Sequence, residues 1–173
     1  DASLDIVVCD GGLNSLPFPG GLQAVETALA RTLKRNGLFC VRLFKRPQRQ
    51  ESVQQVLDDL RDHKIHNMNV LKLKLGMAMQ KNTAAGVHVD EMWRVFTGWA
   101  GDLELFAKSQ GWPLLQVTAI NAYRNSINRY YFYSVEEIVE IFSEPAGHFD
   151  CLSVFEPNYN FGDRCPTVVF RRI

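Results

Sequence analysis

Apolar positions predict a strand, a helix and a second strand at the start of the chain. Residues 4–10 (LDIVVCD) form a β-branched apolar run, which is typical of a strand covered on both faces. The next apolar positions follow a helical period and share one face: Leu22, Val25, Leu29 and Leu33. Asn36-Gly37 is expected to end this helix, with Gly37 in the left-handed position, before a second strand at 38–44 (LFCVRLF). A strand–helix–strand unit of this length predicts two parallel strands.

The middle of the chain shows helical periods. Ser52 and Gln55 are spaced as a capping box, and the apolar positions after them follow one helical face. Residues 68–80 (MNVLKLKLGMAMQ) fit both strand-like alternation and a helical face, and their residue propensities favour the helix. Asp90 is a candidate cap of the next helix, and residues 101–110 predict a further one.

The end of the chain predicts a helix followed by a strand hairpin. Ser134 and Glu137 repeat the capping-box spacing at the start of an apolar-faced helix. Residues 148–157 and 165–172 are typical of strands, and the loop between them is too short for a parallel crossover. The whole pattern predicts an α/β fold. Its sheet is a partial doubly wound one of parallel strands with a C-terminal antiparallel hairpin, and the chain carries a helical insert at 64–130.

Length and composition are those of one globular domain. The chain has 173 residues, 46% of them hydrophobic and 22% charged, so we interpret residues 1–173 as a single domain that contains the insert. Lys plus Arg and Asp plus Glu both number 19, so no net charge favours nucleic acid or an acidic membrane as a partner. The sequence has neither a membrane-length apolar stretch nor a signal segment.

Cysteine and histidine patterns give no sign of a metal site. The four cysteines, which have no CxxC or other metal-ligand spacing, are Cys9, Cys40, Cys151 and Cys165. His63 and His66 form an HxxH pair without a further ligand at metal spacing. We therefore expect a reduced, cytoplasmic chain without a bound metal. It begins with Asp1 rather than Met, which suggests a processed or trimmed product.

Five segments resemble parts of the C-terminal half of a class I S-adenosylmethionine-dependent methyltransferase. In that family the fourth strand of a seven-stranded doubly wound sheet ends in an acidic or polar motif, as LDIVVCDGGLNSLP does at 4–17. The family's next helix, turn and fifth strand are similar to LARTLKRNGLFCVRLF at 29–44. YFYSVEEIVEIF, FDCLSVFEP and RCPTVVFRR are similar to its last helix and closing hairpin. These segments span roughly half of the chain, and the 64–130 insert lies outside the common fold.

The resemblance implies that the cofactor-binding half lies outside this sequence. The family's glycine-rich loop and ribose-binding acidic residue have no counterpart, and no GxGxG occurs. Doubly wound sheets bind ligands at the carboxyl ends of their strands, where the strand order reverses. We therefore expect S-adenosylmethionine to bind this chain weakly or not at all. Strand 4–10 would be an open edge, covered either by a missing N-terminal half or by a second copy in a homodimer.

Four residues near the strand ends are candidates for ligand contacts. The resemblance assigns cofactor binding to Asp10, Gly11 and Asn14, whereas the residues by themselves also fit a simple turn. Arg42 interrupts an apolar strand, so it needs a carboxylate partner or a place at the carboxyl end of the sheet. In the second case it would bind an anionic group of the substrate.

Aromatic and basic residues are concentrated at 121–134 (NAYRNSINRYYFYS). Such a mixture can stack on a planar or anionic ligand, although packing of an insert against a sheet is the commoner explanation. The segment is the best candidate for a substrate-facing lid. Its predicted substrate-binding residues are Tyr123, Arg124, Arg129 and Tyr130.

These patterns leave two functions open. The resemblance implies methyl transfer to an acceptor, interpreted as a small molecule, by an enzyme that is inactive as this chain alone. In-line methyl transfer depends mainly on positioning, so the catalytic residues stay unassigned. The alternative is a non-catalytic binding or assembly module that pairs through strand 4–10. A nucleotide-binding oxidoreductase is disfavoured by the same missing glycine-rich loop.

Overall fold

The computed structural model describes residues 2–143 and 147–173, and the starting Asp1 lies outside them. In chain order the strands and helices are β1 (Leu4–Asp10), α1 (Gly20–Thr32), β2 (Leu33–Arg42), α2 (Val53–Arg61), α3 (Met68–Met79), β3 (Val87–His88), α4 (Val89–Ala100), α5 (Leu103–Gln110), α6 (Leu114–Thr118), β4 (Arg129–Tyr130), α7 (Val135–Ser143), β5 (Phe149–Phe155) and β6 (Thr167–Arg172). The predicted α/β class is confirmed. No helix within the described ranges is long and apolar enough to cross a membrane.

The described residues form two compact units. The first takes its residues from 1–47, 83–85 and 131–173, and the second from 48–82 and 86–130. The first unit contains the four-stranded sheet with α1 and α7, whereas the second contains α2 to α6 and the short β3–β4 pair. The candidate ligand-binding residues are therefore divided between the two units.

A mixed sheet with the order β1-β2-β6-β5 forms the first unit. β1 and β2 are parallel, with Val7 opposite Phe39 and Cys9 opposite Val41, as the strand–helix–strand pattern predicts. β6 is antiparallel to both β2 and β5, so the predicted closing hairpin is confirmed. The last strand lies inside the sheet, and β1 lies at one end of the strand order.

The core of the first unit joins the sheet to α1 and α7. Phe142 of α7 stacks on Phe39 and Phe170 of the sheet, with ring centroids 5.6 and 5.0 Å away. Leu22 and Leu29 of α1 are buried in the same cluster, which confirms the predicted inward face for these two residues, whereas Leu33, predicted for the same face, is the first residue of β2. Stacked aromatic rings and buried leucines of this kind dominate core stability.

β1 is covered on one face, so the prediction of burial on both faces is wrong. Val7 and Cys9 pack against the core, but Ile6 and Val8 on the other side are 56% and 74% exposed. Successive side chains of a strand point to opposite faces, and the core lies on only one side of β1. The apolar run in the sequence therefore leaves an exposed apolar surface.

Helix α1 ends at Thr32, before the Asn36-Gly37 pair that was expected to end it. Asn36 rather than Gly37 adopts the left-handed conformation, with φ 65°. Gly37 is needed for a close approach of main chain instead. A Cβ atom there would lie 2.8 Å from the carbonyl oxygen of Lys34 and 3.2 Å from that of Asp5.

Local signals in the second unit are largely confirmed. The Ser52 side chain accepts from the Gln55 main chain, and the Gln55 side chain accepts from the Ser52 main chain, so the capping box is complete. α3 confirms the helical alternative for residues 68–80. Asp90, however, lies inside the first turn of α4 and does not cap it. Its carboxylate accepts from the main chain of Asn125 at 2.7 Å, because a tertiary partner competes for it.

Aromatic packing holds the helices of the second unit together. The rings of Phe96, Trp99 and Trp112 meet the Phe106 ring edge-on, with centroids 5.2 to 6.1 Å away. Neither α6 nor the β3–β4 pair was predicted, because two to five residues are too few to establish a period.

Candidate functional site

Asp10 and Arg42 form an ion pair at the carboxyl ends of β1 and β2. They are register partners in the parallel ladder, and the pair is bidentate, with Nε–Oδ1 at 2.5 Å and Nη2–Oδ2 at 3.0 Å. The hydrogen bonds that Arg42 donates to Asp10 raise the pKa of Arg42 above its ordinary value. Both side chains are partly exposed, at 40% for Arg42 and 64% for Asp10. The structural role considered for Arg42 is thus present, and an additional anion-binding role stays a prediction.

Two further side chains, Phe44 and Tyr159, lie next to Arg42. Its guanidinium carbon lies 5.7 Å from the centroid of the Phe44 ring, and the Tyr159 hydroxyl is within hydrogen-bonding reach. Tyr159 also contacts the thiol of Cys165, whose pKa is raised by burial. The sequence analysis missed Tyr159, which follows β5 in a loop without a motif. Its position next to Arg42 arises only because β6 pairs with β2.

Gly11 follows β1 in the left-handed conformation, with φ 67°. Its main-chain N–H donates to the carbonyl oxygen of Arg42 at 2.9 Å, which extends the parallel ladder beyond Asp10. A Cβ atom on Gly11 would lie 2.6 Å from Cε2 of Phe44. The glycine therefore serves the turn and its packing, and the space that a side chain would need is filled by an aromatic ring.

Asn14 is buried, and its side chain is fully engaged within the first unit. Its Nδ2 donates to the carbonyl oxygens of Phe44 at 2.9 Å and Tyr131 at 2.7 Å, and its Oδ1 accepts from the Phe44 N–H at 2.9 Å. An amide nitrogen has two protons, and both are used. Asn14 thus joins three separate segments of main chain.

The three residues expected to contact the cofactor are all held by contacts within the chain. Asp10 is bound by Arg42, Gly11 is packed against Phe44, and the amide of Asn14 is saturated. As arranged here, they do not fit a complete site for S-adenosylmethionine. Their assignment to the cofactor stays a prediction, and no step of the chemistry is assigned to them.

The aromatic segment 121–134 is divided between the two units. Its last aromatic residues, Tyr131, Phe132 and Tyr133, are at most 9% exposed. The Tyr133 hydroxyl donates to the carbonyl oxygens of Leu13 and Leu16, and burial raises its pKa. This part of the segment is core, as the packing alternative for the segment predicts.

The other part of the segment lies in the second unit and contains four of the five substrate candidates, whereas the fifth, Arg42, lies in the first unit. The Tyr123 hydroxyl donates to that of Tyr130 at 3.1 Å, and Nζ of Lys72 lies 5.6 Å from the centroid of the Tyr123 ring. Arg124 stacks over the ring of Trp93 at 5.3 Å. Arg129 contacts a ring nitrogen of His88, its register partner in the β3–β4 pair, at 2.5 Å.

The candidates thus fall into two groups. Asp10, Gly11, Asn14 and Arg42 are joined through the main chain and Phe44 in the first unit, and the Tyr/Arg candidates lie in the second. Lys72 was not singled out from the sequence, where it is one of two lysines in an ambiguous segment. Within the described ranges, no three His, Cys, Asp or Glu side chains come close enough together to hold a metal ion.

No protein-family model matches the chain, and no curated protein matches it in sequence. Among solved structures it is similar to a SAM-dependent methyltransferase from Methanosarcina mazei, at 13% sequence identity and a TM-score of 0.45. The match covers 100% of this chain and 61% of that one, so this chain spans less than two thirds of that protein's length. We assign no family from a similarity at this level.

Proposed function

We propose that this chain is the C-terminal portion of an S-adenosylmethionine-dependent methyltransferase with a small-molecule acceptor. In this proposal the chain is inactive alone and requires further strands along β1. Its free cysteines agree with the expected cytoplasmic location.

The arrangement of the sheet is the observation that supports this proposal. The segments resembling the family's fourth and fifth strands form the parallel pair β1–β2, and those resembling its closing hairpin form β5 and β6. The acidic residue Asp10 and Gly11 lie at the carboxyl end of β1, which is the end where sheets of this class bind ligands.

The free edge of β1 favours a second candidate function. Gly11 donates its N–H group to Arg42 of β2, and Ser3 donates its N–H group to Thr32 immediately before β2, so the alternate residues Ile6 and Val8 direct theirs to the other side. Those two residues are also exposed and apolar, and the strand contains no Pro or Lys that would protect an edge. A non-catalytic module that pairs through this edge, with itself or with another chain, would use the same feature.

Calorimetric titration of S-adenosylhomocysteine distinguishes the two functions. It is performed on this chain and on the longest polypeptide that its gene encodes. The methyltransferase proposal expects micromolar binding by the longer polypeptide and little or none by this chain. Binding by neither would contradict it and leave the assembly module.

A matched pair of variants shows whether binding uses the predicted end of the sheet. Asp10→Asn in the longer polypeptide removes the charge next to the expected site, so a loss of affinity is expected. Asp62→Asn removes the same negative charge from an exposed carboxylate of the second unit, and it is expected to leave the affinity unchanged. Equal affinities of the two variants would show that Asp10 does not contribute to cofactor binding.

A further inference from the structure

Two lysines of α3, separated by one residue, have different surroundings. Nζ of Lys74 lies 2.9 Å from a carboxylate oxygen of Glu51 and 3.0 Å from one of Asp59. Nζ of Lys72 instead lies over the ring of Tyr123, and no carboxylate in the described part of the chain is within ion-pair distance of it. Lys72 is also only partly exposed. It is therefore a half-buried cation without an anion in its own surroundings.

The two ammonium groups also differ in their acid–base properties. Burial lowers the pKa of Lys72 below its ordinary value. Burial acts on Lys74 in the same direction, but its hydrogen bonds with Glu51 and Asp59 outweigh it, so the pKa of Lys74 is raised. Contact with an aromatic face offsets only part of the cost of desolvating a cation. Lys72 therefore lacks most of the compensation that Lys74 has.

The Lys72 ammonium lies over one ring of a tyrosine pair. The rings of Tyr123 and Tyr130 meet edge-on, with centroids 5.9 Å apart, and their hydroxyls are hydrogen-bonded. Burial raises the pKa of Tyr123, so this phenol is neutral at physiological pH and brings no negative charge to the ammonium. The cluster offers a cation, the neutral hydroxyl of Tyr123 and aromatic surface, which together suit a small organic anion.

We propose that Lys72, Tyr123 and Tyr130 form a binding site for an oxyanion, either a carboxylate or a phosphate group of a small ligand. The oxyanion would supply the charge-assisted partner that Lys72 lacks, and the tyrosine rings would contact the ligand's carbon atoms. The site lies wholly in the second unit. Its further assignment to the anionic end of a methyl acceptor rests on the proposed function.

Lysine-selective NMR tests the site on the intact chain. Acetate, benzoate and inorganic phosphate are added in turn at constant ionic strength, and the ¹³Cε signals of all lysines are followed. We expect the Lys72 signal to shift along a saturable curve while the Lys74 signal stays in place. Saturation with the carboxylates alone identifies a carboxylate site, and saturation with phosphate alone identifies a phosphate site. A linear shift of Lys72 that the other lysines share would overturn the proposal.

Variants provide a second measurement, read on the ring signals of Tyr123. Lys72→Gln is expected to weaken binding of the best anion by about tenfold or more, since bonds to charged groups are strong. Lys81→Gln changes an exposed lysine of the same unit and is expected to leave the affinity unchanged. Equal affinities of the two variants would overturn the proposal.

If Lys72→Gln does not fold, the wild-type titration decides by itself, with Lys74 as its internal control. None of these measurements involves S-adenosylmethionine. Failure of the methyltransferase proposal therefore leaves this test unaffected, and the reverse also holds.

Discussion

Two hydrogen bonds of opposite direction join Asn14 and Tyr131, which are 117 residues apart in the sequence. The Tyr131 N–H donates to the Asn14 carbonyl oxygen at 2.8 Å, and the Asn14 side chain donates to the Tyr131 carbonyl oxygen at 2.7 Å. The turn after β1 is thereby joined to the segment that precedes α7. The end of the sheet with the candidate ligand contacts depends on this buried link.

Asn14→Asp is expected to destabilise the chain by about 3 kcal/mol at neutral pH, because a carboxylate cannot donate to the carbonyl groups of Phe44 and Tyr131. The free energy of unfolding is measured by urea denaturation. Asn158→Asp adds the same charge at an exposed site of the same unit and is expected to change it by less than about 0.5 kcal/mol. Equal stabilities would show that the Asn14 amide is available for a ligand.

Gly11→Ala is expected to cost about 2 kcal/mol, since it combines a left-handed backbone with a clash against the Phe44 ring. Gly20→Ala is the matched control, because no atom lies within 4 Å of its added Cβ. Its expected effect is a gain of about 0.4–1 kcal/mol. Thermal unfolding measures both, and shortening Phe44 to Leu should recover part of the Gly11→Ala loss. If Gly11→Ala leaves the stability unchanged, the result contradicts the described packing.

Lys74→Met is expected to cost about 2 kcal/mol at neutral pH, because it leaves the partly buried Glu51 without this cation and Asp59 with only the exposed Lys64, 3.4 Å away. Lys108→Met removes an exposed helical ion pair with Glu104 and should cost less than about 0.5 kcal/mol. Denaturant titrations of the two variants provide the comparison. A loss no greater than that of Lys108→Met would mean that the Lys74 cluster contributes nothing.

The cost of Lys74→Met should also depend on pH. The folded-state pKa of Lys74 is raised above 10.5, so its contribution is complete below that value and disappears as the pH rises through the folded pKa. Burial acts to raise the pKa of Asp59, but bonds from Lys74 and Lys64 lower it below 3.8 overall. Its contribution is present above that value and disappears as the pH falls. The difference between wild type and variant is therefore largest between about pH 5 and pH 10.

Val8→Lys tests the exposed edge of β1. Val8 is 74% exposed, so a lysine there is expected to change stability by less than about 1 kcal/mol. If the wild-type chain associates at high concentration through this edge, the Val8→Lys variant should associate more weakly, because lysine opposes edge-to-edge pairing of strands. Leu115→Lys is the control, since Leu115 is 83% exposed but lies in the second unit. Sedimentation velocity in which both variants associate equally would exclude the β1 edge as the contact.

The sequence by itself determined the elements that depend on neighbouring residues. The capping boxes at Ser52 and Ser134 are present as predicted, because their bonds join residues three positions apart. The parallel β1–β2 pair was also predictable, since a connection of this length through one helix favours it. The end of α1 was not, because the close contact at Gly37 competes with the local signal at Asn36-Gly37.

Only the tertiary structure decided which candidate side chains meet. Asp10 and Arg42 are partners because of the register between two strands, and Asn14 is saturated by groups that β-sheet formation and α7 bring to it. Lys72 and Lys74 are equivalent in the local pattern, yet one meets two carboxylates and the other an aromatic ring. The sequence alone determines which side chains carry a charge. The burial and the partners that decide what this charge does come from residues distant along the chain, which only the fold brings close.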